Sequence, residues 1–151
     1  MEQYEFGLLL SQAIVAASSS KATYQYQHIG SSSYLSSIYC NDVDLLVLMH
    51  PSKFQSLEQH AEHEFPGYLR PEGDVYANGA DDSVWLSLRK GKVNLIVTNS
   101  QDFYDKTVLA NTVCAVLKLE DKAERVKVFA VVQHGLDIEG AQAWVRAWKN
   151  R

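Results

Sequence analysis

Six apolar residues and one acid, Val43 to Met49, form the segment that most limits the folds open to this chain. A nearly continuous apolar run of this length is typical of a β-strand that is covered on both faces. Such a strand needs other secondary structure packed against each side of its sheet. The segment therefore predicts an α/β or α+β protein with helices flanking a sheet.

Apolar spacing elsewhere predicts three further strands and five helices. Strands are expected at residues 24–29, 83–88 and 93–98, and helices at 3–17, 51–65, 103–119, 122–134 and 138–148. The last two strands flank Lys90-Gly91-Lys92 and are expected to form a hairpin. The serine-rich piece from Ser31 to Ser37 is either a loop or a short helix.

Each predicted helix carries an apolar stripe that is expected to face the core. The stripes are Tyr4, Leu8, Ile14 and Val15; Phe54, Leu57 and Ala61; Val108, Val113 and Val116; Val126, Phe129 and Val132; and Ile138, Ala141, Val145 and Trp148.

The length of 151 residues fits one domain, with a core over residues 1–119 and C-terminal helices over residues 121–150. The net charge of −4 and the pI near 5.7 exclude a global basic field for nucleic acid. Cys40 and Cys114 are expected to be reduced core side chains, because their number and spacing fit neither a disulfide framework nor a metal motif.

The chain is expected to be cytoplasmic and to make no membrane contact. Its first residues, Met1 to Glu5, are acidic and lack the basic region of a signal peptide. The apolar stretch from Gly7 to Ala17 is too short to span a bilayer.

Two elements with complementary chemistry stand close together in the first third of the chain. Ile29-Gly30-Ser31 ends a predicted strand, ten residues follow, and Asp42-Val43-Asp44 opens the next strand. A tight glycine turn presents backbone N–H groups to phosphates, and carboxylates are the hard oxygen ligands that Mg²⁺ prefers. Asp42 and Asp44 point to the same side, since strand side chains repeat every second residue.

On these residues the chain resembles the nucleotidyltransferase superfamily, the fold class of DNA polymerase beta. That resemblance implies that Gly30, Ser31 and Ser32 bind the triphosphate of an NTP. It also implies that Asp42 and Asp44 hold Mg²⁺ or Mn²⁺, and that a mixed sheet lies between helices. Residues 93–106 add a weaker likeness to small nucleotidyltransferase-like proteins of bacteriophages.

One position departs from the pattern of the superfamily. A third carboxylate usually stands in the middle of a later strand, and the matching residue here is Asn94, which cannot act as a base. Either Asn94 still orients a metal or nucleotide, another acid substitutes, or catalysis has been lost. The candidate substitutes are Asp74, Asp81 and Asp82, whereas helix capping accounts for Asp102 and Asp105.

Other polar and aromatic residues have a structural and a functional interpretation. Arg89, Lys90, Lys92 and Lys106 are expected at the surface, with phosphate contact as the alternative. His60 and His63 are expected on an exposed helix face rather than at a metal. His28 either lines the site or faces solvent, and Trp85, Trp144 and Trp148 are expected in the core or an interface.

Two functions of different classes follow. The first is a Mg²⁺-dependent enzyme that moves a nucleoside monophosphate from an NTP to a hydroxyl of a protein, a nucleic acid or a small molecule, with Asp42, Asp44 and Asn94 at the reaction centre. The second is an inactive protein of the same fold that binds a nucleotide or a protein, either a second copy or a host protein.

Overall fold

Four short strands form a mixed β-sheet in the computed structural model. The structure describes residues 1–51, 57–71 and 85–149. The strands are β1 (Thr23–Ile29), β2 (Val43–Met49), β3 (Trp85–Lys90) and β4 (Val93–Thr98). Their order across the sheet is β1-β2-β4-β3. β2 and β4 run parallel, and the two outer pairs run antiparallel. Residues 83 and 84 of the predicted hairpin lie outside the described residues.

The helices are α1 (Gln3–Ser19), α2 (Leu57–Glu64), α3 (Gln101–Leu117), α4 (Lys122–His134) and α5 (Ile138–Lys149). The serine-rich piece forms two short 3₁₀ helices, Ser31–Ser33 and Ser37–Tyr39. A mixed sheet flanked by helices and followed by C-terminal helices confirms the predicted α+β class. Phe54, which was expected on the second helix, lies outside the described residues.

One face of the sheet forms an apolar core with α1 and α2. Alternate residues of β2, β4 and β3 are buried in this core. Leu45, Leu95 and Leu88, one from each strand, are fully buried. Ala13 of α1 and Phe65, which follows α2, belong to the same cluster. Burying each leucine stabilises the fold by about 1.5–3 kcal/mol, so this face fixes which residues of each strand point away from it.

Only Ile14 of the apolar stripe that was predicted for the first helix packs against the core. Tyr4, Leu8 and Val15 are 79%, 55% and 61% exposed, whereas Ala13 and Ala17 are fully buried. Small side chains, one helical turn apart, let a helix approach a sheet closely. Hydropathy favours the larger residues, so the prediction missed the two alanines that line the buried side of α1.

The chain divides into two compact units, Met1–Tyr104 and Asp105–Arg151. In the second unit, α4 and α5 share a small cluster of Ala123, Val126 and Val145. α4 begins where the Asp121 carboxylate accepts a hydrogen bond from the Ala123 N–H at 2.9 Å. It ends at Gly135, which adopts the left-handed conformation that glycine tolerates. The single domain expected from the length stays a prediction.

The predicted stripes of the C-terminal helices hold only in part. Val126, Ala141 and Val145 are buried as expected, but Val116 and Ile138 are 74% and 72% exposed. In α3 the buried positions are instead these: Phe103, Tyr104, Thr107, Ala110, Asn111 and Cys114. The valines of α3 misled the prediction because a polar Thr107 and Asn111 occupy its buried side.

Both cysteines are buried and outside any disulfide, which confirms their predicted place in the core. Burial raises the pKa of the Cys114 thiol, and the charge of Arg125 offsets part of that rise. Within the described ranges, no helix has the length and apolarity needed to cross a membrane.

Candidate functional site

The second face of the sheet, opposite α1 and α2, is buried and apolar at its centre, where Leu46 and Leu48 lie. Its end at the starts of β2 and β4 is polar and carries the predicted acid, and this end is called the polar face. Asp44 of β2 stands beside Asn94 of β4 in the parallel register, and Asn94 stands beside Arg89 of β3 in the antiparallel register. Residues that face each other in adjacent strands project to the same side of a sheet. The three side chains therefore share one face near the N-terminal ends of β2 and β4.

A chain of hydrogen bonds crosses three strands at this place. The Asn94 amide Nδ2 donates to Asp44 Oδ1 at 3.0 Å, and the Ser87 hydroxyl donates to Asn94 Oδ1. An amide that accepts from a hydroxyl on one side must present its N–H₂ on the other. Ser87 therefore fixes the orientation of Asn94, which in turn holds the Asp44 carboxylate.

The turn that was predicted to bind phosphate meets the same carboxylate. Gly30 follows β1 directly and has φ 79° and ψ −178°, a conformation essentially restricted to glycine. A Cβ at this position would overlap Asp44 Oδ2 and lie only 3.1 Å from its Cγ. Only glycine lets the backbone pass this close to the acid, so the Gly30 turn and Asp44 form one local site.

Serine hydroxyls beside the turn are engaged within the protein. Ser33 Oγ donates to the Gly30 carbonyl at 2.6 Å, and Ser32 Oγ lies 2.8 Å from His28 Nε2. Ser32 is buried, and Ser31 is partly exposed. The predicted phosphate contacts of Ser31 and Ser32 therefore rest most directly on the backbone N–H groups of the turn.

His28 supports the turn from the face that α1 covers. It stands opposite Leu45 in the sheet register, and its ring centroid lies 5.9 Å from that of Phe6 in α1. Burial lowers the pKa of His28, so the neutral ring is favoured in the folded protein. The neutral ring and the Ser32 hydroxyl form one hydrogen bond, in which Nε2 donates or accepts according to the tautomer.

Asp42 is paired with a cation rather than with the other acid of the motif. Arg89 Nη2 lies 3.5 Å from Asp42 Oδ2, and the two side chains are 39% and 36% exposed. This arrangement brings a guanidinium to the acids from β3, across β4. Arg89, Asp42, Asp44 and Asn94 together carry one positive and two negative charges.

The two carboxylates, Asp42 and Asp44, are too few to hold a metal ion by protein ligands alone. They fit one Mg²⁺ whose other ligands come from a nucleotide and water. Mg²⁺ is commonly held by one or two carboxylates together with substrate phosphates and water. Among the described residues, no group of three His, Cys, Asp or Glu side chains stands together as a metal site. The candidate acids Asp74, Asp81 and Asp82 lie outside the described residues.

The other residues that were weighed from the sequence lie elsewhere. Lys92 Nζ pairs with Glu5 at 2.7 Å, and Lys90 Nζ lies 5.8 Å from the centroid of the Tyr68 ring. His63 and Lys106 are exposed, whereas His60 is partly buried. Except for His60, these positions agree with the structural interpretations of those residues.

The first turn of α3 contains or adjoins the two acids, Asp102 and Asp105, that were expected to cap this helix. Ser100 Oγ accepts from the Phe103 N–H at 3.2 Å, so a serine caps the first turn of the helix. Both acids are exposed, and Asp102 lies in the first turn, where a negative charge favours the helix dipole.

Trp85 is buried and stacks on Phe103 with centroids 5.4 Å apart, which confirms its place in the core. The side chains of Trp144 and Trp148 lie outside the described residues.

Ser87 has a role that the sequence did not suggest, and Arg89 reaches the acids although a solvated turn was the preferred interpretation. Both residues lie on β3 in phase with Asn94, since Arg89 is its register partner and Ser87 is two residues away. Applying the alternation rule to β3, with Asn94 as the reference, would have placed both on the polar face.

The fold has a counterpart among solved structures. The crystal structure of conserved protein GrpB from Enterococcus faecalis matches this chain with a TM-score of 0.50 and 16% sequence identity. The match covers 95% of this chain and 87% of that one. At this identity the likeness shows a shared fold alone. No protein-family model and no curated protein matches the chain.

Proposed function

We propose that the chain binds an NTP together with one Mg²⁺ and transfers the nucleoside monophosphate to a hydroxyl acceptor. The close approach of Gly30 to Asp44 supports this proposal most directly. A triphosphate needs backbone donors for its oxygens and carboxylates for its metal within a few ångströms of one another. The Gly30 turn and the Asp44 carboxylate meet that requirement.

In this proposal the Gly30 and Ser31 backbone orients the phosphates, and Asp42 and Asp44 supply carboxylate oxygens. Bound Mg²⁺ would neutralise charge that develops on the phosphate oxygens. The acceptor oxygen bonds to the α-phosphorus, the bond to the pyrophosphate oxygen breaks, and pyrophosphate leaves. Asn94 has no basic atom, so the acceptor proton passes to solvent, and transfer is expected to be slow.

A second candidate is a nucleotide-binding protein of the same fold without transferase activity. It is favoured by the bond from Asn94 to Asp44 and by the ion pair of Asp42 with Arg89. A carboxylate at position 94 would attract a second metal, whereas an amide does not. The likeness to phage proteins fits this candidate equally well, with a host protein or a second copy as the partner.

Nucleotide binding is tested by thermal unfolding with each of the four NTPs, with and without Mg²⁺. Ligand at 100 times its Kd stabilises a protein by about 2.7 kcal/mol. We expect one NTP to raise the Tm only in the presence of Mg²⁺, and Mg²⁺ alone to change it little. Asp44→Asn should abolish the shift, whereas Glu5→Gln, which removes an acid at Lys92, should retain it.

The two candidates then separate on product formation. The NTP that binds is labelled at its α-phosphate and incubated with Mg²⁺ and with protein, RNA or small-molecule acceptors. Label transfer that Asp44→Asn abolishes supports the enzyme. Binding without label transfer or pyrophosphate release supports the second candidate, and the absence of any Mg²⁺-dependent binding refutes both.

A further inference from the structure

Arg89 is the cation that the sheet register brings to the acid site. It lies on the same sheet face as Asn94 and Asp44 and reaches Asp42 from two strands away. Its neighbour Lys90 follows the opposite phase of the strand and lies over Tyr68. The strand alternation thus selects one of two adjacent cations for the acid site.

Electrostatics requires a positive group at this place if a nucleotide binds there. A triphosphate remains net negative after it has taken up one Mg²⁺, and two carboxylates without a nearby cation would repel it. Arg89 offsets one of these charges, and Asn94 omits the third carboxylate that the superfamily usually has. With Arg89 the charges of the site sum to −1 instead of −2, which reduces both the repulsion of a metal–nucleotide complex and the attraction of a bare divalent cation.

The ion pair of Arg89 and Asp42 is weak enough for Arg89 to leave Asp42 when another anion binds. Its 3.5 Å separation is too long for a strong charge-assisted hydrogen bond, and more than a third of each side chain is exposed. Exposed ion pairs contribute little to stability, so releasing this one costs little. A guanidinium also presents paired N–H donors that match phosphate oxygens.

We propose that Arg89 exchanges partners, binding Asp42 in the nucleotide-free protein and the terminal phosphates of the bound NTP. The exchange frees Asp42 for the metal at the moment when the nucleotide brings it. Arg89 thereby makes the site selective for triphosphates over monophosphates and keeps bare Mg²⁺ from Asp42. This inference rests on the proposed nucleotide site.

The test compares Arg89→Gln with Lys90→Gln, which removes the same charge one residue away on the other sheet face. Calorimetry measures the affinity for the NTP, NDP and NMP of the base that binds wild type best, each with Mg²⁺. We expect Arg89→Gln to weaken NTP binding at least about tenfold, the scale of a lost charged contact, and to change NMP binding little. Lys90→Gln should bind all three like wild type.

A second readout is the affinity for Mn²⁺ without nucleotide, measured by paramagnetic relaxation. Arg89→Gln should raise it severalfold because Asp42 is no longer paired, and Lys90→Gln should leave it unchanged. Equal losses of NTP affinity in the two variants, or an unchanged preference for triphosphate in Arg89→Gln, would overturn the exchange while leaving the nucleotide site intact. Failure of the wild type to bind any Mg–NTP would instead remove the proposed function itself. Thermal unfolding of each variant without ligand checks that it folds.

Discussion

The two faces of the sheet differ in what their side chains do, although they alternate along the same strands. On the face covered by α1 and α2, Leu45, Leu95 and Leu88 are fully buried in one apolar cluster. On the other face, near the starts of β2 and β4, Asp44 and Asn94 are joined by a hydrogen bond. The other residues of β2 on this second face are also buried and apolar, so apolar packing stabilises both faces. Polar groups, which burial alone would disfavour, are confined to the end where β2 and β4 begin.

The strongest test of that division compares neighbouring residues of β4. Leu95→Ala should lower the free energy of unfolding by about 2–5 kcal/mol, because it leaves a cavity in the core. Asn94→Ala should cost about 1–2 kcal/mol, the scale of the two hydrogen bonds that it removes. Urea unfolding of both variants measures the difference. Equal losses would show that the polar face contributes to stability as much as the core does.

Gly30→Ala probes the point where the β1 turn reaches the polar face. We expect a loss of about 1–3 kcal/mol from the backbone conformation, and more from the overlap with Asp44. Adding Asp44→Ala removes the overlap but leaves the strained backbone, so the double variant should recover part of the loss. A double-mutant cycle in urea measures this coupling. Strictly additive effects would mean that Gly30 and Asp44 do not constrain each other.

Asn94→Asp changes the polar face without touching the core. It replaces a donor to Asp44 by a second carboxylate, so we expect a loss of about 1 kcal/mol without metal. Ser87 can still donate to the new side chain. Mg²⁺ should restore much of the loss in the variant and have little effect on wild type. Thermal unfolding across a Mg²⁺ titration measures both, and Asn94→Ala serves as the variant that cannot respond.

The smallest expected effect concerns His28 on the α1 side of the sheet. Its pKa is lowered by burial from the ordinary value of 6.5, so the unfolded chain binds the proton more readily. The stability that His28 contributes is fully present above pH 6.5 and is lost as pH falls through the lower folded pKa. His28→Gln should flatten this part of the pH profile of urea unfolding. A wild-type profile that is level or rises towards acid in that window would contradict the prediction.

Much of the sheet could be predicted from local patterns. Val43–Met49 and Val93–Thr98 are strands with the expected bounds, because apolar runs of this length have few alternatives. The resemblance also pointed to Asn94 as the residue beside the acids, and the parallel register places it next to Asp44. Once a strand is placed in the sheet, the alternation of its side chains assigns each residue to one of the two faces.

Contacts that depend on tertiary packing were harder to predict. The buried side of α1 is lined by Ala13 and Ala17, since closeness to the sheet matters there more than hydropathy does. The pairing of Arg89 with Asp42 depends on β3 lying beside β4 and not beside β2. Strand order is set by the whole sheet, so local spacing in the sequence did not reveal it.

The parallel pairing of β2 with β4 also has a kinetic consequence. Asp44 and Asn94 touch although they are 50 residues apart along the chain. Closing so long a loop costs chain entropy before any contact between the strands repays it. The hairpin of β3 and β4 involves neighbouring residues and can form without that closure. During refolding the polar cluster should consequently assemble late, so that ligand binding returns only with the last and slowest phase.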